Sequence, residues 1–403
     1  MYGYTRQWNK RKNPLSIGAR IAQQLARRVF AAVEEYRKGI RGKPRFKGYR
    51  GIQSIEDNSL ESNLRLKERA VCYRGLTLPM RYDLSDPVHY HGLHSPIKYL
   101  RLVRRTFNGR IRYFVQLVGE GNPWVKCRNL SQKATVGLDI GPQTIAVVAP
   151  EQQYAQLTRF ADALKTHTQA KKLLQRKLAR QLRSNNPTAF AQDRWVRQDK
   201  HWHCKQGKAI KGQRLSKRSR ACQRSSSQLA DLARKEAAYR KTAHGALANH
   251  VLRLGNHIKT EKLSYKGWQK QWGKSIGLRA PGMFVTLLKR KAENAGGSVE
   301  EINTYKTALS QTCHCGRREK KLLSERWHKC PCGVIAQRDL YSAYLACFVV
   351  KDKLMVDDAR VAWSGMDIAL RTAMSELKHA SSGPMPASLG LCLGSERVVC
   401  DVF

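Results

Sequence analysis

The sequence has few acidic residues for its length. Only 30 Asp and Glu oppose 75 Lys and Arg among 403 residues, which gives a formal net charge of +45. An excess of this size weakens the folded state by self-repulsion unless a polyanion neutralises it. The composition therefore predicts nucleic acid as the partner.

Long apolar runs are absent as well. No run approaches the roughly 20 residues that a membrane-spanning helix requires, and no secretory signal is present. A membrane surface is therefore the weaker candidate polyanion, and we expect a soluble, intracellular protein. The hydrophobic fraction of 41% is sufficient for two or three globular domains.

The 11 cysteines do not follow a disulfide pattern, because four of them cluster near the C-terminal end and the rest are scattered. The cluster lies in the segment TCHCGRREKKLLSERWHKCPCG, and its members are Cys313, Cys315, Cys330 and Cys332. Two thiolate pairs on tight Gly turns can converge on one tetrahedral zinc ion, which would be structural because no ligand position stays open. Only one residue separates the thiols of each pair, so His314 or His328 could replace one thiolate.

One carboxylate lies inside an apolar pair of predicted strands. The segment at 134–150 is ATVGLDIGPQTIAVVAP, which predicts an antiparallel hairpin with Asp139 on the face opposite Val136 and Leu138. A charged side chain in that position needs an ionic partner or a metal. The alternative is an Asp that begins a turn.

Two further acidic residues lie in other predicted elements. Glu261 belongs to a short strand that follows a helix ending at Gly255, although a surface role would also explain it. Asp339 lies in the first turn of a helix directly after the cysteine cluster, where complementing the helix dipole is the alternative role.

Two basic segments are candidates for contact with nucleic acid. In GIRGKPRFKGYR, cations alternate with aromatic rings at Arg45, Phe46, Lys47 and Arg50, although a solvated basic turn is equally compatible. A helix predicted at 171–183 is basic around most of its circumference and includes Arg176, Lys177 and Arg180. The run from Trp195 to Arg220 is predicted as a loop that orders only on a partner, with a solvated charged face as the alternative.

Helices and strands are predicted in the rest of the chain from periodicity and turn signals. A helix covers Leu15–Tyr36, and a β-hairpin turns at Asn108-Gly109 within a small β domain. Later helices are predicted to start after a serine cap at 225–227 and at Pro281, and a strand follows at 298–303. This alternation predicts an α/β layer, and the segment from residue 381 is predicted to be a flexible tail.

Taken in order, these motifs resemble the three split RuvC motifs of TnpB proteins. GLDIG carries Asp139, KTEKLS carries Glu261, and a cysteine ribbon precedes QRDLYSAYLA with Asp339. TnpB proteins are RNA-guided nucleases encoded by insertion sequences and thought to be ancestral to type V CRISPR effectors. The resemblance covers roughly residues 39–350.

The resemblance implies an α/β, RNase H-like RuvC domain with an inserted zinc ribbon, preceded by a small β (wedge) domain with an N-terminal helical part. It implies a DNA endonuclease in the prokaryotic cytoplasm, associated with the nucleoid. A guide RNA derived from the transposon end would pair with double-stranded DNA beside a short adjacent motif. Asp139, Glu261 and Asp339 would hold two Mg²⁺ ions, and the four cysteines a structural Zn²⁺.

The domains implied by the resemblance follow the order of the motifs. They are a truncated helical recognition segment (1–40), a wedge-like β domain (41–122), a RuvC domain with a basic helical insertion (123–308), the zinc ribbon (309–336), the last RuvC helix (337–352) and a partly disordered C-terminal extension (353–403).

The sequence departs from the family pattern in ways that keep other functions open. The N-terminal part looks shortened, and Gln337 and Tyr341 occupy positions where family members often have Asp and Asn. An RNA-guided DNA-binding repressor that does not cut, a strand-transferring transposase and a plain zinc-ribbon RNA-binding protein are the alternatives. The presence of all three acidic residues argues against the repressor, and a plain zinc-ribbon protein would need no acidic trio.

Overall fold

The computed structural model describes residues 18–46, 51–57, 64–73, 75–160, 167–198, 201–213, 215–322 and 324–379. In these ranges the α-helices are, in chain order, α1 (Ala19–Arg37), α2 (Pro87–His94), α3 (Thr168–Asn185), α4 (Arg220–Leu254), α5 (Tyr265–Arg279), α6 (Pro281–Asn294), α7 (Thr304–Thr307), α8 (Arg338–Cys347), α9 (Val356–Val361) and α10 (Trp363–His379). Among the described helices, none has the length and apolar character needed to cross a bilayer.

The strands of the same ranges are, in chain order, β1 (Ser54–Asp57), β2 (Leu64–Lys67), β3 (Ala70–Tyr73), β4 (Leu76–Pro79), β5 (Ile97–Phe107), β6 (Arg110–Gly119), β7 (Thr135–Ile140), β8 (Thr144–Ala149), β9 (Tyr154–Arg159), β10 (Arg194–Gln198), β11 (His201–Lys205), β12 (His257–Glu261), β13 (Ser298–Ile302), β14 (Trp327–Lys329), β15 (Ile335–Gln337), β16 (Val349–Val350) and β17 (Lys353–Leu354). The chain divides into two compact units. One comprises Met1–Trp124 with His167–Ala233, and the other comprises Val125–Thr166 with Arg234–Phe403.

The first unit contains two antiparallel three-stranded sheets, with strand orders β1-β5-β6 and β2-β3-β4. Helix α1 contributes Ile21 to a small core that also contains Leu64, Val71 and Leu100. The hairpin predicted at Asn108-Gly109 is confirmed, because β5 and β6 pair on either side of it. The first unit therefore holds the small β domain that the sequence predicts.

Two predictions for the basic region are wrong. The stretch after Trp195, predicted as a loop, begins instead with an antiparallel hairpin of β10 and β11. Helix α4 begins at Arg220, so the serines at 225–227 lie inside it. Ser219 provides the capping contact instead, since its hydroxyl accepts the Cys222 backbone N–H at 3.2 Å.

The second unit is built around a five-stranded sheet of order β13-β12-β7-β8-β9. Strands β7, β8 and β9 pair antiparallel, whereas β12 pairs parallel with both β7 and β13. An antiparallel meander extended by two parallel strands is the RNase H-like arrangement. The predicted fold class is therefore confirmed.

Helices cover both faces of this sheet, and β8 is buried along its whole length. Val136, Leu138 and Ile140 pack with residues of α4 and α6 in one cluster. On the opposite face, Ala146 and Val148 pack with α8 and with the helices that follow it. The alternation predicted for β7 thus separates its buried apolar residues from Asp139.

The described part of the predicted C-terminal extension, which is assigned to residues 353–403, contains two helices. Helices α9 and α10 bury Ala359, Met366, Leu370 and Ala373 in the same core cluster as α8. The Tyr344 hydroxyl also donates a hydrogen bond to the Ala359 carbonyl. Residues 380–403, which include the predicted flexible tail, lie outside the described residues.

Candidate active site

Two of the three predicted acidic residues lie near the C-terminal ends of adjacent parallel strands. Thr260 of β12 is in register with Leu138 of β7, so Glu261 and Asp139 are the next residues along their strands. Parallel strands in register direct equivalent side chains to the same face. The two carboxylates therefore lie on the same face of the sheet, at the edge formed by the C-terminal ends of β7 and β12.

The third acidic residue reaches this edge because α8 packs very closely on β7. A side chain at Gly137 would overlap the Ala343 carbonyl oxygen and the Cys347 sulfur. Asp339 lies one helical turn before Ala343, and Asp139 lies two residues after Gly137 on the same face. The close packing of α8 on β7 at Gly137 therefore places Asp339 near Asp139.

Replacing Gly137 by alanine should therefore separate the helix from the strand. We expect the free energy of unfolding to fall by about 1–3 kcal/mol, as for an overpacked core site. Urea denaturation of the whole chain measures this. Gly245→Ala is the matched control because its added methyl group would meet nothing within 4 Å, and an undiminished stability of Gly137→Ala would contradict the packing described.

The three carboxylates affect one another electrostatically. Burial raises the pKa of Asp139 well above its usual value, and the nearby charges of Asp339 and Glu261 raise it further. Burial also raises the pKa of Glu261, to about 7, against the opposing effect of a hydrogen bond from the Leu309 backbone. Three acidic groups thus share a site in which their full ionisation is unfavourable without added positive charge.

Two arginines flank the acidic residues. Burial raises the pKa of Asp339, while the charges of Arg338 and Arg326 oppose the rise. Arg338 Nε lies 3.8 Å from Asp339 Oδ1. The same guanidinium is fixed by donating to the carbonyl oxygens of Leu322 at 3.1 Å and Glu325 at 2.7 Å.

The donor set fits divalent metal ions. Carboxylate oxygens are the hard ligands that Mg²⁺ prefers. A divalent cation would also remove the mutual repulsion that raises the pKa of Asp139. Asp139, Glu261 and Asp339 are therefore the residues that could hold such ions.

The four predicted cysteine ligands converge on one point. Their sulfur atoms all lie within 4.8 Å of one another, and Cys313–Cys332 and Cys315–Cys330 are each separated by 3.6 Å. Tetrahedral zinc with Zn–S bonds of about 2.3 Å requires sulfur separations of roughly 3.8 Å. The cluster can therefore bind zinc with four thiolates, and neither predicted histidine substitute belongs to it.

The two halves of the cysteine cluster have the same backbone turn. The Gly316 N–H donates to the Cys313 carbonyl at 2.9 Å, and the Gly333 N–H donates to the Cys330 carbonyl at 3.0 Å. Both glycines have positive φ, at 89° and 95°. The repeated Cys-x-Cys-Gly pattern thus forms two equivalent knuckles.

Tyr341 connects this cluster to the helix that carries Asp339. Its buried hydroxyl lies 3.3 Å from Cys313 Sγ and 3.0 Å from both the backbone N and Nδ1 of His314. The hydroxyl accepts the His314 backbone N–H, and its one proton and second lone pair serve the Cys313 sulfur and His314 Nδ1. The tyrosine in place of the expected Asn therefore ties the cysteine ribbon to α8.

Five of the seven residues predicted to contact nucleic acid lie among the described residues. Arg45 and Phe46 are exposed, and so are the helix residues Arg176, Lys177 and Arg180. Lys47 and Arg50 lie outside the described residues. The structure leaves these side chains accessible without assigning them a role.

Sequence reasoning missed several residues of the site. Lys259 donates to the carbonyl oxygens of Cys347 at 3.1 Å and Val349 at 2.5 Å, which secures the end of α8 to β12. Gln337, noted only as a departure, caps α8 through a 2.8 Å hydrogen bond to the Leu340 N–H. Arg326 directly precedes the hairpin of β14 and β15 and belongs to no recognisable motif. Its proximity to the acidic residues could therefore not be predicted from the sequence.

One segment of the chain matches a known protein family. Residues 282–345 match the model of the Cas12f1-like, TNB domain family. The match begins in α6, includes the four cysteines and ends in α8 beyond Asp339. No curated protein matches the chain.

Two complexes are among the solved structures that match this chain at low similarity. The cryo-EM structure of a Cas12f1–sgRNA–target DNA complex has a TM-score of 0.42 at 12% identity, covering 81% of this chain and 70% of that one. The cryo-EM structure of a CRISPR–Cas12f ternary complex has a TM-score of 0.30 at 12% identity, covering 87% and 73%.

Proposed function

We propose that this chain is an RNA-guided DNA endonuclease encoded by a transposable element. The observation that carries the proposal is the meeting of Asp139, Glu261 and Asp339, which are far apart in the sequence, at one edge of an RNase H-like sheet. The TNB-type match around the cysteine cluster supports the same class of protein. The order of the motifs, which resembles TnpB proteins, supports an origin in a transposable element.

The three acidic residues would form the catalytic site. Asp139, Glu261 and Asp339 would hold two Mg²⁺ ions through their carboxylate oxygens. When bound, the ions supply a nucleophilic water and stabilise the leaving oxygen of the phosphodiester. Arg338 would keep Asp339 oriented through its own contacts to Leu322 and Glu325.

The remaining parts of the chain would bind nucleic acid. A net charge of +45 suits contact with the backbones of an RNA–DNA hybrid, and base pairing with a guide would supply sequence recognition. The cysteine ribbon would hold structural zinc beside the target strand. A guide RNA from the transposon end and double-stranded DNA are thus the proposed partners.

A plasmid assay tests this proposal. Protein purified with its co-expressed RNA is incubated with Mg²⁺ and supercoiled plasmids that carry either a target matched to the guide or a scrambled one. We expect linear product from the matched plasmid only. Guide-dependent binding without cleavage would indicate the repressor instead, and joining of DNA ends would indicate the transposase.

A further inference from the structure

The hairpin of β10 and β11 carries two tryptophans that face solvent. All ten residues of its strands are exposed. Trp195 is 68% exposed and Trp202 is 64% exposed, whereas tryptophan is on average a highly buried residue. Such exposure of two large rings indicates a contact surface.

The pairing register places both tryptophans on one face. Trp195 is opposite Cys204, and Arg197 is opposite Trp202. Because side chains alternate along a strand, Trp195, Arg197 and Trp202 share a face, which we call the tryptophan face. Trp195 and Trp202 are diagonal neighbours, a relation that separates backbone positions by roughly 7–8 Å.

The base of the hairpin is held by specific contacts. The Asp193 carboxylate accepts the Gly207 backbone N–H at 2.7 Å and Arg183 Nη1 at 3.1 Å. Arg183 also donates to the Gly207 carbonyl at 2.5 Å and lies 4.6 Å from the centre of the Phe190 ring. A side chain at Gly207 would overlap the Ala191 carbonyl, so the chains cross closely there.

The charges around the tryptophan face favour one kind of partner. Arg197 lies on that face, and the opposite face carries Arg194 and Lys205, with no acidic residue in either strand. Cations beside exposed aromatic rings match a nucleic-acid strand, whose phosphates pair with the cations while its bases stack on the rings. A duplex would provide phosphates for the cations but no bases for the rings, because its bases are already stacked on each other.

We propose that the tryptophan face binds an unpaired nucleic-acid strand by stacking bases on Trp195 and Trp202, with Arg197 on the adjacent phosphate. This inference rests on nucleic acid being the partner of the chain but not on cleavage. It adds a binding surface distant in sequence from the three acidic residues and from the cysteine ribbon.

Binding of short labelled oligonucleotides tests the inference. Full-length protein freed of RNA by high salt is titrated, without Mg²⁺, into a fluorescein-labelled 15-nucleotide U strand, the matching T strand of DNA and a duplex of equal length. For the double variant Trp195→Ala/Trp202→Ala, we expect affinity for both single strands to fall at least about tenfold, as loss of stacking predicts. Affinity for the duplex should change less than about twofold, because duplex bases do not stack on the rings.

The control variant Trp195→Tyr/Trp202→Tyr keeps aromatic rings and should retain most of the single-strand affinity. The salt dependence of binding should be the same for the alanine variant and the wild type, since ring removal takes away no charge. An affinity of the alanine variant for single strands equal to that of the wild type overturns the inference. If that variant instead loses binding to vesicles of anionic phospholipid, the tryptophan face binds a membrane surface and the inference is likewise overturned. An equal loss for single strands and duplex overturns it as well.

Because no step of this assay requires Mg²⁺, its result is separate from the test of the nuclease. Strand binding by the tryptophan face can be confirmed even if the protein does not cut DNA. It can also be excluded for a protein that is an active nuclease.

Discussion

Asp139→Ala is expected to reduce guided DNA cleavage at least about a thousandfold, because the transition-state stabilisation by metal ions is worth several kcal/mol. The charges of both other acidic residues raise the pKa of Asp139, in addition to the larger effect of burial. Under the proposed function, the variant should still bind guide RNA and target DNA, since the basic surfaces proposed for those contacts are unchanged. Single-turnover cleavage of the matched plasmid, with binding measured in parallel, checks both parts.

Asp357→Ala provides the matched control for this loss. Asp357 is also an acidic residue of the second unit, but its side chain is 92% exposed. We expect this variant to cut at the wild-type rate. Cleavage by Asp139→Ala at a rate near that of the control would exclude Asp139 from the catalytic site.

Metal binding should depend strongly on pH around neutrality. Burial raises the pKa of Glu261 to about 7, so the protein must release a proton from this residue to bind a divalent ion at lower pH. The apparent affinity for Mn²⁺ should therefore weaken about tenfold per pH unit below pH 7 for this one proton. Asp139, whose pKa is also raised, should steepen the dependence.

The free energy of unfolding of the metal-free protein should fall with rising pH, whereas the affinity for metal rises. The folded protein keeps the Glu261 proton between pH 4.5 and about 7, whereas the unfolded chain loses it. The free energy of unfolding should therefore fall as pH rises through this window. Titrations of Mn²⁺ and urea denaturation at pH 5.5, 6.5 and 7.5 measure the two effects, and Glu261→Gln should reduce both. A flat pH profile in both measurements would contradict the coupling.

Local pattern was sufficient to predict the elements that carry the acidic residues. The alternation in β7 placed Asp139 on the face opposite Val136 and Leu138, and the structure has this arrangement. The repeated Cys-x-Cys-Gly turns likewise predicted a cluster that the structure brings within 4.8 Å. In both cases the signal lies within a few residues, so chain topology is not needed to detect it.

Contacts between distant segments were not predictable in this way. Gly137 looked like an ordinary strand residue, yet its missing side chain allows α8 to approach β7. The hairpin of β10 and β11 was hidden because all ten residues of its strands are exposed, so neither strand has a buried face to give an apolar–polar alternation. Its stability depends on the contacts of Arg183 and Asp193 with Gly207, which no local pattern shows.

The most direct measurement is anomalous diffraction from crystals of the protein soaked in Mn²⁺. The proposed function predicts two Mn²⁺ peaks bound by Asp139, Glu261 and Asp339, and their loss in Asp139→Ala crystals that keep the same fold. Well-ordered carboxylates with no Mn²⁺ beside them, at a concentration that supports cleavage by the protein in solution, would contradict it.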